Sequence, residues 1–355
     1  MKVYKVLGLM SGTSLDGLDI AFCTFSHDKG KWAYSIVNAE TNKYNPDWSL
    51  KLKNAHQLTG EKLVHLHSEY GELLGKKVSV FIKKYKIKSV DFVSSHGHTI
   101  FHNPQKGYTF QIGNGASIAA ESGLKVVCDF RTIDVALKGQ GAPLVPIGDR
   151  LLFSEFNFCL NLGGFSNISF ESGKKRIAFD ICPVNTVLNY LSSAKGKSYD
   201  KGGAMARSGQ VSATLLKKLN GLAYYKTNKP KSLGREWLES YFLPIINSSS
   251  ISIEDKLATV TEHVAIQVAR VIEGSTNRGK VLVTGGGAHN SYLISKLKEK
   301  LPSHNIIVPS YDLVNYKEAL VFAFLGVLKI ENRINTLCSV TGATIDSRGG
   351  VVYAP

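Results

Sequence analysis

Apolar and polar residues alternate over 4–9, break at Ser11-Gly12-Thr13-Ser14-Leu15-Asp16-Gly17, and alternate again over 18–25 and 32–39. Period-two runs with short glycine-bearing breaks predict three strands joined as a meander. The period then lengthens. Leu63, Leu66, Tyr70, Leu73 and Leu74 form one stripe, which predicts a long helix over 61–86. Strands follow at 91–95, running into His96-Gly97-His98, and at 125–130, ending at Arg131. The second half repeats the theme with a strand at 156–162, a Gly163-Gly164 turn, and strands at 167–170 and 176–179. Helical patterns cover 184–191, 211–219 and 254–273. A buried-type strand at 280–284 enters Gly285-Gly286-Gly287, a helix begins near Asn290, and a last helix spans 318–330.

Two halves with one theme predict an α/β chain of two similar domains. No Pro/Ser-rich linker or low-complexity tract separates them, so close packing around a central cleft is expected. The length of 355 residues suits two domains. Hydrophobic residues at 43% and charged residues at 20% exclude a mostly disordered chain. No apolar window is long enough for a membrane span, and the first residues run straight into a strand rather than a secretory leader. The five cysteines (Cys23, Cys128, Cys159, Cys182, Cys338) are scattered and form no CxxC pair, which argues against a disulfide framework and a zinc site. A reduced, cytoplasmic protein is expected. Lys and Arg number 43 against 28 Asp and Glu, a net charge of +15 that suits anionic small molecules. No aromatic RNA-binding motif or arginine-rich arm accompanies the lysines, so they read as solvated faces, with neither nucleic acid nor membrane as a partner.

Four segments carry candidate chemistry. In the first hairpin Gly12, Thr13 and Ser14 offer backbone N–H groups and hydroxyls to an anion, and Asp16 offers an oxygen to a phosphate-associated metal. Gly163 and Gly164 form a second such turn. Gly285, Gly286 and Gly287 lie between a strand and a helix, where a flat ligand can rest on the backbone; the spacing does not fit a dinucleotide fingerprint. Asp180, at a strand end, has two readings: a general base facing a cleft, or a cap for a helix starting at Pro183. His96 and His98 alternate on a strand end with His102 nearby. No carboxylate or cysteine completes a metal set, so they read as polar wall or hydrogen-bonded turn.

These segments together resemble the anhydro-N-acetylmuramic acid kinases of the acetate and sugar kinase/Hsp70/actin superfamily. The likeness is carried by Gly8-Leu9-Met10-Ser11-Gly12-Thr13-Ser14-Leu15-Asp16-Gly17, Ser95-His96-Gly97-His98-Thr99, Thr109-Phe110-Gln111-Ile112-Gly113 and Asp129-Phe130-Arg131. It continues through Gly139 to Pro146, Lys231-Ser232-Leu233-Gly234-Arg235-Glu236, Glu318 to Ala323 and Ser339 to Ala343. The resemblance implies two ribonuclease H-like, actin-like ATPase domains, with 1–131 plus 337–355 forming the first and 132–336 the second. It implies ATP and Mg²⁺ as cofactors, an amino-sugar substrate, and a homodimer. The activity implied is hydrolysis of the anhydro bridge of 1,6-anhydro-N-acetylmuramic acid with phosphorylation of O6. The products are N-acetylmuramic acid 6-phosphate and ADP. Carried over, Asp180 activates water. Gly12, Thr13, Ser14, Gly163 and Gly164 hold phosphates, and Asp16 lies near Mg²⁺ through water. Gly285, Gly286, Gly287 and Asn290 form the nucleoside site, and His96, Arg131, Asn185 and Glu318 face the sugar. An arginine there suits the lactyl carboxylate. Hinge closure is expected to exclude bulk water.

The chain departs from the family pattern at three points. Cys182 and Val184 replace two glycines of the motif around the base, Asn114-Gly115 replaces Asp-Pro, and His98 stands where Gln is usual. A backbone requiring positive φ at 182 or 184 would be penalised. The alternative implied is a catalytically impaired nucleotide- and sugar-binding sensor.

Overall fold

The N-terminal alternation forms three antiparallel strands, β1 (Val3–Ser11), β2 (Leu18–Asp28) and β3 (Lys31–Asn42). They belong to a computed structural model that describes residues 2–13, 15–226 and 231–355. Val6, Leu7 and Leu9 of β1 are all buried, so both faces of this strand are covered. β4 (Phe92–Asn103) runs parallel to β1, β5 (Tyr108–Ile112) folds back on its far end, and β6 (Val126–Cys128) runs parallel to β4. The second sheet is built from β7 (Phe158–Leu162), β8 (Phe165–Ser172) and β9 (Lys175–Pro183), antiparallel, with β10 (Lys280–Thr284) and β11 (Asn305–Ile307) parallel to β7. β12 (Val351–Tyr353) returns to the first sheet beside β6.

The strand orders are β12-β6-β4-β1-β2-β3 and β11-β10-β7-β8-β9. Each sheet is thus an antiparallel meander whose first strand is extended by two parallel strands. This repeated plan is the ribonuclease H-like α/β architecture the resemblance implied. Parallel neighbours need crossovers. In the first sheet α1 (Pro46–Asn54) and α2 (Gly60–Lys84) connect β3 to β4, and α3 (Gly115–Ser122) connects β5 to β6. α2 buries Leu66, Tyr70 and Leu74 of the stripe read from sequence and continues it with Val78 and Phe81, while Leu63 and Leu73 are half-buried. α1 was not foreseen. Asn45 caps it by accepting from Trp48 N–H at 2.8 Å, with Pro46 in the first turn.

The chain divides into two compact units, Met1–Leu152 with Tyr316–Pro355, and Phe153–Asn315. These limits differ from those expected, because 132–152 and 316–336 join the first unit. Side-chain chemistry explains the difference. Asp134, in α4 (Thr132–Ala136), accepts from Gly141 N–H at 2.7 Å and from the Thr341 hydroxyl at 2.7 Å. Asp149, in α5 (Val145–Leu152), pairs with Lys317 at 2.7 Å, both buried. The last helix, Tyr311–Ile330, starts seven residues before the expected Glu318, and its backbone departs from helical geometry at Tyr316. The second unit's core gathers Val260, Val264 and Val268 of helix Ile253–Glu273 against Leu160, Ile181 and Val283 of its sheet. Among the described residues no helix is long and apolar enough to cross a membrane.

Candidate active site

In the first unit the β1–β2 connection turns sharply. Leu15 N–H donates to Gly12 O at 3.3 Å, and Leu15 adopts φ +60°. Gly17 at φ +157° lies so close to β3 that a Cβ would sit 2.8 Å from Asn42 O, so only glycine fits there. Thr13 and Asp16 are exposed at this tip, and Ser14 lies outside the described residues. Asp19, which the sequence reading passed over, stands one turn of the hairpin away. Burial pushes its carboxyl up to about 6; the Thr41 hydroxyl, donating at 2.5 Å, opposes this, and the charges of Asp16 and Glu318 add to it. Glu318 is exposed and lies in the field of Arg131, Lys317 and Asp16.

β4 is longer than expected and carries His96-Gly97-His98 inside the strand. Arg131 Nε and Nη2 both donate to His96 Nε2, at 3.0 and 2.9 Å, and Nη1 donates to Gly141 O at 2.6 Å. Since guanidinium groups only donate, His96 Nε2 is bare and its proton sits on Nδ1, which donates to Gly97 O at 2.9 Å. Burial, and then the Arg131 charge, depress the His96 pKa well below the usual histidine range. Both nitrogens of His96 are therefore committed to the protein. The ring stands behind Arg131 as its support instead of offering a free group to a sugar.

In the second unit Asp180 lies near the end of β9 beside a bulge. Ser166 pairs with Cys182 and Asn167 with Asp180, leaving Ile181 without a cross-strand partner. The extra residue re-aims the strand end. Asp180 Oδ2 accepts from Leu233 N–H at 2.8 Å, its N–H donates to Lys231 O at 3.0 Å, and its carbonyl accepts from Tyr224 Oη at 2.6 Å. Burial raises its pKa, and the Leu233 N–H partly offsets this. The helix-cap reading fails. α6 (Asn185–Ser193) begins after Val184 without a side-chain cap, so Asp180 holds no helix end and Pro183 belongs to β9.

Val184 has φ −129°, and Cys182 is not among the residues of positive φ, so neither replacement forces a left-handed backbone. Cys182 is fully buried, its thiol is pushed up to about 12 by burial, and its Sγ lies 3.2 Å from Ser166 Oγ. It is a packing residue.

Around this point the glycine loops meet. Val184 N–H donates to Gly164 O at 2.8 Å, Asn185 N–H to Gly163 O at 3.2 Å, and Asn185 Nδ2 to Leu162 O at 3.0 Å. A Cβ on Gly287 would sit 2.7 Å from Leu162 Cβ and 3.4 Å from Asn185 Oδ1, and one on Gly285 (φ +80°) 2.4 Å from Asn161 Oδ1. The two loops and Asn185 thus form one backbone-lined floor. Next to it the Thr284 hydroxyl is fully buried and has no hydrogen-bond partner among the described residues. Asn290 is used differently from the expectation. Its Oδ1 caps helix Ser291–Lys300 by accepting from Leu293 N–H at 3.0 Å, and Gly203 packs against it.

The structure gathers Gly12, Thr13 and Asp16 at one turn and His96 with Arg131 behind β4. In the second unit it gathers Gly163, Gly164, Asn185 and Gly285–Gly287. Sequence reasoning missed Asp19, Leu233, Tyr224 and the Gly202-Gly203 pair. The spacing of Asp16 and Asp19 and the segment 231–236 were the available signals.

The family model described as anhydro-N-acetylmuramic acid kinase matches residues 4–355. The chain is similar to the anhydro-N-acetylmuramic acid kinase of Aliivibrio fischeri, 35% identical over 370 residues, covering 98% of this chain and 99% of the relative. It is also similar to that of Pseudomonas fluorescens, 35% identical over 360 residues, covering 95% and 96%. Among solved structures it is similar to the activator of the 2-hydroxyisocaproyl-CoA dehydratase from Clostridium difficile with bound ADPNP. That match has 14% identity and a TM-score of 0.43, and covers 92% and 97% of the two chains.

Proposed function

The chain belongs to the anhydro-N-acetylmuramic acid kinase family, and from that premise we propose that it opens 1,6-anhydro-N-acetylmuramic acid with water while phosphorylating O6 from ATP. The single observation carrying the chemistry is the Asp180 carboxylate. One oxygen is anchored by Leu233 N–H, no helix end claims the group, and burial raises its basicity.

Asp180 takes a proton from water as the water oxygen bonds to the anomeric carbon. The bond from that carbon to O6 breaks, O6 attacks the γ-phosphorus, and ADP leaves. Catalysis then rests on positioning and charge neutralisation. Gly12 and Thr13 of the first turn, with Ser14, and Gly163 and Gly164 of the second hold phosphates through backbone N–H groups. Gly285, Gly286 and Gly287 carry the nucleoside, where bare backbone admits a flat ligand. Asn290 shapes that site as a helix cap. Arg131, fixed by His96, grips the lactyl carboxylate; Asn185 and Glu318 line the sugar side.

A divalent cation fits the first unit. Asp16, Asp19 and Glu318 repel one another there, and their hard oxygens suit Mg²⁺. No cage of three such ligands exists among the described residues, which matches an ion held by one or two carboxylates and the phosphates. Mg²⁺ bound there, with Asp16 acting through water, would neutralise phosphate charge. Location in the cytoplasm, a homodimeric state and a small-molecule rather than nucleic-acid role belong to the same family reading.

Mass spectrometry of products formed with ATP, Mg²⁺ and the anhydro sugar in ¹⁸O-labelled water tests the proposal. We expect a phosphorylated sugar carrying one ¹⁸O, and its loss in Asp180→Asn. A phosphorylated product without ¹⁸O, or an unimpaired Asp180→Asn enzyme, overturns this mechanism.

A further inference from the structure

Asp180 is the end of a row of four polar side chains that crosses the second sheet. Thr284 of β10 pairs with Asn161 of β7, Asn161 with Asn167 of β8, and Asn167 with Asp180 of β9. Directly paired residues face the same side of a sheet, with Cβ atoms about 5 Å apart. That side is not the core side. The chain neighbours Val283, Leu160, Ile168 and Phe179 alternate with the row and pack in or against the unit's core. Ile181 and Cys182 both lie in that core, so the bulge leaves the Asp180 carboxyl on the row's side.

No two side chains of the row are hydrogen-bonded to each other. The buried Thr284 hydroxyl has no partner among the described residues. Asn167 is exposed, and its amide has none among them either. Of the two Asp180 carboxyl oxygens only Oδ2 is held, by Leu233 N–H at 2.8 Å. A polar row kept for structure would be cross-linked; this one leaves its hydrogen-bonding capacity for something other than protein.

Asp180 Oδ1 is thus the oxygen able to take a proton. A water bound to it through one proton has a second to place, and the water's lone pairs face an electrophile only when that second proton is held aside. Of the titratable groups beside Asp180, the Lys231 ammonium only donates, and the Tyr224 hydroxyl is turned to the Asp180 main-chain carbonyl at 2.6 Å. The amide oxygen of Asn167, directly opposite on the neighbouring strand, is an acceptor within reach.

We propose that Asn167 is a further catalytic residue, whose Oδ1 accepts a hydrogen bond from the water that Asp180 deprotonates and so aims that water at the anomeric carbon. One water proton passes to Asp180 Oδ1. The oxygen bonds to the carbon as the bond from that carbon to O6 breaks, and the other proton stays on the oxygen as that of the anomeric hydroxyl. This role rests on the kinase reading above; the place of Asn167 beside Asp180 does not.

Two variants of the full chain, assayed with ATP, Mg²⁺ and the anhydro sugar in ¹⁸O-labelled water, test the role. Asn167→Ala, which loses the acceptor at an exposed position, should lower kcat at least about tenfold and leave KM for both substrates within about twofold. Asn167→Asp keeps an acceptor oxygen and adds a charge beside Asp180. Its acid limb should move to higher pH, and above that limb its kcat should return to within about fivefold of the unmodified chain. If the unmodified chain makes labelled product and Asn167→Ala keeps its kcat, the proposal is overturned while the kinase reading stands. A raised KM with kcat intact makes Asn167 a sugar contact and overturns it too, as does an Asn167→Asp profile that does not move or stays low at every pH. If the unmodified chain makes no labelled product, the kinase reading falls and this role with it. The carboxyl ¹³C resonance of Asp180, assigned by its absence in Asp180→Asn, then still shows whether the two side chains are neighbours, through a raised midpoint in Asn167→Asp.

Discussion

At the residue scale, the chemistry turns on carboxyl groups whose surroundings differ. Asp180 is half-buried, and burial holds its pKa above the ordinary carboxylate range against the opposing Leu233 N–H. A base works deprotonated. We therefore expect kcat/KM to fall as pH drops through that raised value, and Asp180→Asn to lose about 10²- to 10⁴-fold in rate. A pH–rate profile whose acid limb sits in the ordinary range would contradict the assignment. Asp19 is a second case. Its folded pKa of about 6 exceeds the unfolded value of 3.8, so the native state holds the extra proton between those limits. Stability contributed by this residue is therefore present at low pH and lost as pH rises from about 4 through about 6. Asp19→Asn in Mg²⁺-free buffer should raise the melting temperature at pH 7 and leave it nearly unchanged near pH 4. Equal shifts at both pH values would argue against a desolvated carboxylate.

Elements deliver these groups through their irregularities. The bulge at Ile181 turns Asp180 toward the 231–233 segment, and the length of β4 carries His96 and His98 to the end of β1, where Ser11 pairs with His98. Helix ends do similar work. The Asn290 side chain satisfies the first turn of helix Ser291–Lys300, so Asn290→Ala should cost about 1 kcal/mol in chemical denaturation. A larger effect on nucleotide affinity than on stability would instead indicate direct contact with the ligand. The helix Tyr311–Ile330 is tied to α5 by the buried pair of Lys317 and Asp149. Lys317→Met removes this partner from the buried Asp149 carboxylate, and we expect a loss of about 3 kcal/mol. Denaturant midpoints within error of the unmodified chain would show that the pair contributes nothing.

For the whole molecule, one plan is used twice, and each unit has its own core. The net charge of +15 belongs to this scale too. It should favour anionic substrates at a distance, so kcat/KM for ATP should fall several-fold between about 0.05 M and about 0.5 M salt. A salt-independent rate would assign the lysines to solvation alone. The sequence by itself determined the repeated meander, the glycine turns, the long helices and the family, because period and turn chemistry are local and the family motifs are contiguous. Only the tertiary structure decided that Asp180 caps no helix and that His96 serves Arg131. It alone showed Asn290 to be a cap, and joined 132–152 and 316–336 to the first unit. Each of these depends on a hydrogen bond, an ion pair or packing between residues far apart in the chain, such as Leu233 with Asp180 or Thr341 with Asp134. Local periodicity carries no record of such pairings.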